Sequence, residues 1–159
     1  MVTTIRAREL LLGKLVPYMV VGSIDALLVL AVLLAWFQVP HSGSLVLFLF
    51  SCFLYLLTAS GMGLLVSTLS TTQQQAQMLM FLIMFPNILL SGFIFPIANM
   101  PQWLQTLTYA VPMRYFLVCL RSIMLRGAGL VELWPQLLAM LGLGLLLVGA
   151  GALTFRKRL

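Results

Sequence analysis

Four apolar blocks alternate with polar connectors along the chain. They run over residues 15–37, 45–69, 76–95 and 134–155. Each is long enough to cross ~30 Å of hydrocarbon as a helix rising 1.5 Å per residue. A helix is required there, because lipid offers the backbone no hydrogen-bond partners. The connectors differ in kind. Residues 38–44 (QVPHSGS) form a short polar turn, and residues 70–75 (STTQQQ) are polar and uncharged.

The segment over 97–132 is the only long connector, and its pattern predicts structure. Pro101 opens a short helix through PQWLQTLTYAV, and Pro112 breaks it. MRYFLVCLRSIML then gives a second short helix, stopped by Gly127 and Gly129. Neither piece is long enough to span. A proline-split pair over about 99–127 predicts a re-entrant hairpin that enters and leaves on one side. One kinked span from Leu104 to Leu125 is the alternative, and it would bury Arg114 and Arg121 at several kcal/mol each. The predicted fold is therefore an all-α polytopic membrane protein, in one domain over residues 1–159. It has four transmembrane helices and a re-entrant outer hairpin before the last.

Composition agrees. Of 159 residues, 62% are apolar and 8% charged, and the mean hydropathy is +1.12. Soluble domains are roughly half apolar and about a quarter charged. A soluble enzyme, a disordered tail and a nucleic-acid-binding domain are excluded, the last despite a net charge of +6, because the basic residues cluster at chain ends and between blocks. Lys and Arg also set the sidedness. Arg6, Arg8, Lys14, Arg156, Lys157 and Arg158 fall on the side of the termini, against Arg114, Arg121 and Arg126 on the other. Both termini are expected in the cytoplasm and the hairpin on the outer face. The first block reads as a span, since it is too long for a signal peptide's apolar core.

Candidate chemistry is sparse. His41 is the sole histidine, too little for a triad or a metal site. No phosphate-binding glycine loop occurs. Cys52 and Cys119 lie in apolar stretches and read as small buried hydrophobes. Asp25, near mid-depth in the first span, is either a proton or cation site or a carboxyl satisfied at a helix interface. Pro86-Asn87 places a kink and a polar side chain inside the third span, as a gate or as a static bend. Ala59 and Gly63 have the small-xxx-small spacing of close helix packing, and more small residues recur at Gly142, Gly144, Gly149 and Gly151. The methionines fill core gaps or line a permissive substrate surface. Trp103, Tyr109, Tyr115 and Trp134 suit an interfacial belt. TTIRARELLLGK reads as a short amphipathic helix at the cytoplasmic surface, anchored to anionic lipid or docked to a partner.

RARELLLGKLVPYMVVG, LLSGFIFPIANMPQWLQTLTYAVPMRYFLVCLRSIMLRG and the terminal leucine-rich helix resemble the permease subunits of type-2 ABC exporters, the ABC-2 family. The likeness is greatest to the bacterial drug and small-molecule efflux branch. It implies a permease of the inner membrane that moves an amphipathic or small-molecule substrate outward. No cofactor is expected on this chain. ATP and Mg²⁺ belong to a separate ABC ATP-binding subunit, and a second permease subunit completes the assembly. Arg6, Arg8, Glu9, Lys14, Gln73 and Gln74 would contact the ATPase. Pro112, Arg114 and Tyr115 would belong to an outer gate, and Asp25 and Asn87 would be intramembrane polar residues. The family's earlier spans do not precede Met1, so the chain is expected to correspond to the last four, as a fragment, a split subunit or a truncated product. Competing readings are a proton-coupled multidrug antiporter that uses Asp25 and a non-transporting membrane protein.

Overall fold

A computed structural model describes residues 7–36 and 43–156. Among them the chain is all helical: α1 (Ala7–Ala35), α2 (Leu45–Leu69), α3 (Gln73–Leu90), α4 (Gln102–Thr108), α5 (Pro112–Arg126) and α6 (Leu130–Arg156), with a 3₁₀ turn at Ile97–Asn99. Three helical stretches are long and apolar enough to cross a membrane: Leu15–Ala35, Leu45–Leu69 and Leu130–Thr154. α3, at 18 residues, is not among them. Its first turn is glutamine-rich, and Pro86 and Asn87 lower its hydropathy further.

The parallel pair α2 and α6 forms the centre. Thr58 meets Gly144, Gly61 meets Val148, and Leu64 meets Gly151, so the register rises together on both helices. A Cβ at Gly61 would lie 2.9 Å from the Val148 backbone nitrogen. Only a residue without a side chain lets the two backbones approach this closely. The packed small residues are thus Gly61, Gly144 and Gly151. The expected Ala59–Gly63 pair does not pack this way, because a Cβ at Gly63 would meet nothing within 4 Å.

α1 lies antiparallel to α2, with Gly22 against Leu56, and Leu30 beside Leu45 and Phe48. α5 also runs antiparallel to α2. Ile123 packs at Gly43, just before α2, and the Phe116 ring stacks on Tyr55 near the midpoint of α2, with centroids 4.6 Å apart. The core gathers Cys52, Leu54, Cys119, Ile123, Leu133 and Met140 from α2, α5 and α6. Buried hydroxyls bond within their own helices: Ser51 Oγ donates to the Leu47 carbonyl and Thr58 Oγ1 to the Tyr55 carbonyl. Helices in a dry medium satisfy hydroxyls in this way.

Several boundaries differ from the sequence pattern. α1 is one helix that continues through Pro17, so no break separates an N-terminal amphipathic helix from the first span. α3 covers 73–90 and stops before the expected 95, because Gly92 takes a left-handed φ of 82°. Ser91 Oγ accepts from the Phe93 backbone N–H and secures that turn. α6 begins at 130, with Pro135 tolerated near its start. α4 ends at Thr108 before it reaches Pro112. That proline opens α5 instead of breaking α4, since its missing N–H costs nothing in a first turn. Gly127, at φ 63°, ends α5.

Candidate functional site

The α4–α5 hairpin carries the densest polar construction. Arg114 lies two residues into α5 and turns back over the bend. Its Nη1 donates to Thr108 Oγ1 and approaches the Gln105 carbonyl oxygen at 3.5 Å. Its guanidinium carbon lies 3.9 Å from the centroid of the Tyr109 ring. Tyr115 Oη donates to the Tyr109 carbonyl at 2.8 Å. Gln105 Nε2 donates to the Met100 carbonyl at 2.8 Å and ties the start of α4. Thr108 is fully buried. The cation is therefore held by one hydroxyl, one carbonyl dipole and one aromatic face. A cation over an aromatic ring contributes ~0.5–2 kcal/mol, more where water is excluded.

Tyr109 and Tyr115 are both engaged within the hairpin, Tyr109 through its ring under the Arg114 guanidinium and Tyr115 through its hydroxyl. Trp103 and Trp134 are both largely exposed. Pro112, Arg114 and Tyr115 come together as one bend, in the grouping their spacing suggests.

A second contact ties the hairpin to α3. Arg121 Nη2 donates to the Gly92 carbonyl at 3.2 Å. The chain therefore enters the hairpin region beside Arg121 and leaves it at Gly127, at one end of the bundle. Sequence reasoning missed this contact; the glycine at 92 was its only local signal. Asn87 is brought to α2, where its Nδ2 donates to Met62 Sδ at 3.5 Å. Its Oδ1 is enclosed and has no partner among the described residues. Asp25 is not brought to the hairpin or to Asn87. It is exposed on α1, away from the bundle.

The other end of the bundle holds the α2–α3 turn. Thr72 Oγ1 accepts from the Gln75 backbone N–H, while Gln75 Oε1 accepts from Thr71 N–H and Oγ1. This reciprocal cap starts α3 and leaves Gln73 and Gln74 exposed. Leu15 and Tyr18 of α1 line the same crevice as Ser67 of α2, which puts the α1 N-terminus beside this turn. The side chains of Arg6, Arg8, Glu9 and Lys14 lie outside the described residues, as does His41. The crevice has a volume of about 450 Å³ and opens between the N-terminal half of α1 and the C-terminal half of α2. Ala59 and Gly63 face it.

Residues 1–125 match the ABC-2 type transporter family. The chain belongs to that family. Two relatives from Escherichia coli K12 extend the likeness to nearly the whole chain. The probable multidrug ABC transporter permease YbhR is 39% identical over 158 residues, which is 99% of this chain and 43% of the relative. The probable multidrug ABC transporter permease YbhS is also 39% identical over 158 residues, 99% of this chain and 42% of the relative. The inner membrane transport permease YhhJ of the same organism is 32% identical over 119 residues, 75% of this chain and 32% of the relative. The chain therefore spans less than half the length of these curated relatives. No solved structure matches it.

Proposed function

We propose that this ABC-2 segment is the membrane-crossing part of an exporter permease, which moves an amphipathic or small-molecule substrate outward while a separate subunit binds ATP and Mg²⁺ and hydrolyses the nucleotide. The observation that supports this reading is that 99% of this chain matches part of permeases named for multidrug transport. The setting is the inner membrane. A second permease subunit would complete the path.

In this reading α3 is the third of four crossings. Its 18 residues rise ~27 Å, close to the hydrocarbon thickness. None of its residues is fully buried, and Phe81, Leu82, Met84 and Phe85 are exposed, so the face away from α2 is open to a partner subunit or a substrate path. The hairpin is re-entrant. Its α5 arm is tied through Arg121 to the Gly92 carbonyl after α3, and its bend lies toward the middle of α2. Arg114, Pro112 and Tyr115 then form an outer gate element whose charge is satisfied internally. The α1 N-terminus, Gln73, Gln74 and the α6 C-terminus share the opposite end, which would be the cytoplasmic, ATPase-contacting face. Nucleotide-driven closure there would bias helix packing between inward- and outward-open states.

The test is co-expression of the full permease with its candidate ATP-binding subunit, purification in mild detergent and reconstitution in vesicles. Co-purification with ATP-dependent movement of a hydrophobic dye is expected. A permease that moves dye on a proton gradient with no ATPase bound would overturn the reading.

A further inference from the structure

Asp25 occupies the middle of the 21-residue apolar stretch Leu15–Ala35 and is exposed there. Among the described residues it makes no ion pair and no hydrogen bond. A carboxylate at mid-bilayer costs several kcal/mol against lipid, so such residues face protein or water. The face that carries it is otherwise apolar. Tyr18, Val21, Leu28 and Val32 flank it at helical spacing, and Tyr18 and Val21 are 72% and 65% exposed. The same face leads down to the open crevice, where Tyr18 looks across at Ala59, Gly63 and Ser67. Those three recur every four residues on α2, the spacing that admits a helix backbone at close range.

We propose that this face of α1 is covered by a transmembrane helix from outside these 159 residues, which lies along the crevice and presents a Lys or Arg side chain to Asp25 at mid-depth. Charge complementarity selects that occupant. A second copy of this chain fits poorly. Its stretches 15–35, 45–69, 73–90 and 130–154 contain no Lys or Arg. Arg114, the one basic side chain placed beside the middle of α2, is already engaged by Thr108 and Tyr109. A two-fold contact through this face would also set one Asp25 against another. Relatives such as YbhR hold more than half their length outside the matched part, so chain of the needed extent exists in proteins of this kind. The assignment does not depend on the exporter reading, because it concerns assembly and not transport.

The experiment places a photo-crosslinking amino acid at Val21, and separately at Val32, in the full permease within its native membrane. Asp25 stays intact, so folding is not perturbed at the carboxylate. Adducts are identified by mass spectrometry. The expected product joins Val21 or Val32 to an apolar helix that carries a Lys or Arg and lies outside residues 1–159. Asp25→Leu is expected to lower that adduct at least about tenfold, as loss of one partner of a buried charge pair does. Asp25→Glu is expected to restore most of it. Adducts to lipid alone, to a helix without a basic residue or to a second copy of α1 would overturn the assignment. Rapid labelling of Val21→Cys by a membrane-impermeant thiol reagent would also overturn it, because it marks a water-filled path. Dye transport is not part of the readout, so a failed exporter test leaves this result interpretable.

Discussion

Arg114 and Tyr109 stand on opposite sides of the hairpin bend, with the guanidinium carbon 3.9 Å from the ring centroid. The contact folds the start of α5 back over the end of α4. With Thr108 it lets a basic residue occupy a site beside the middle of α2 without a carboxylate. In an apolar medium a lone cation is otherwise expensive.

Arg114→Ala should loosen the bend by ~1–2 kcal/mol, since it removes the aromatic contact and the charge-assisted hydrogen bond to Thr108 Oγ1, whose hydroxyl keeps its bond to the Gln105 carbonyl. Arg114→Lys should recover only part of this, because an ammonium cannot lie flat on the ring while it reaches the hydroxyl. Thermal unfolding in detergent measures both. Equal stability of wild type and Arg114→Ala would show that the clamp contributes nothing.

Gly61→Val should be severely destabilising, by ~3 kcal/mol or more, because its Cβ would press on the Val148 backbone nitrogen, which has no flexible end to yield. Gly63→Ala should stay within ~0.5 kcal/mol, since that position opens on the crevice. The contrast between the two, read by protease resistance in mild detergent, tests the parallel α2–α6 contact.

Cysteines at Gln102 and Arg126, both exposed, should label from the same side of the membrane with an impermeant reagent. That is the signature of a hairpin that returns to its own face. Labelling from opposite sides would make α4–α5 a crossing and would reverse the C-terminus.

Gln73→Glu combined with Gln74→Glu should reduce co-purification of the ATP-binding subunit several-fold without a change in the melting temperature of the permease. Both side chains are exposed, and the cap is carried by Thr72 and Gln75. Undiminished retention would remove the α2–α3 turn from the contact surface.

Much of the architecture follows from local pattern. The bounds of α2 coincide with its apolar block, because both flanks, Ser44 and Ser70, leave the helix for extended backbone. The hairpin, with Pro112 at the start of α5 and Gly127 at its end, is equally local, since proline and glycine act on their own backbone. The grouping of Pro112, Arg114 and Tyr115 was legible for the same reason: they are neighbours in the chain.

What the amino-acid sequence determined by itself is the solvent, the helical state and the punctuation, because each depends on side chains close in the chain and on the absence of polar ones over long stretches. Tertiary structure alone decided which partners meet. It chose Gly61 over Gly63 for the contact with α6, carried Arg121 to the carbonyl of Gly92, turned Tyr109 under a guanidinium and pointed Asp25 away from the bundle. In a chain this uniformly apolar, hydropathy cannot rank one helix face above another. The choice falls to backbone shape and to a few hydrogen bonds between residues far apart in sequence.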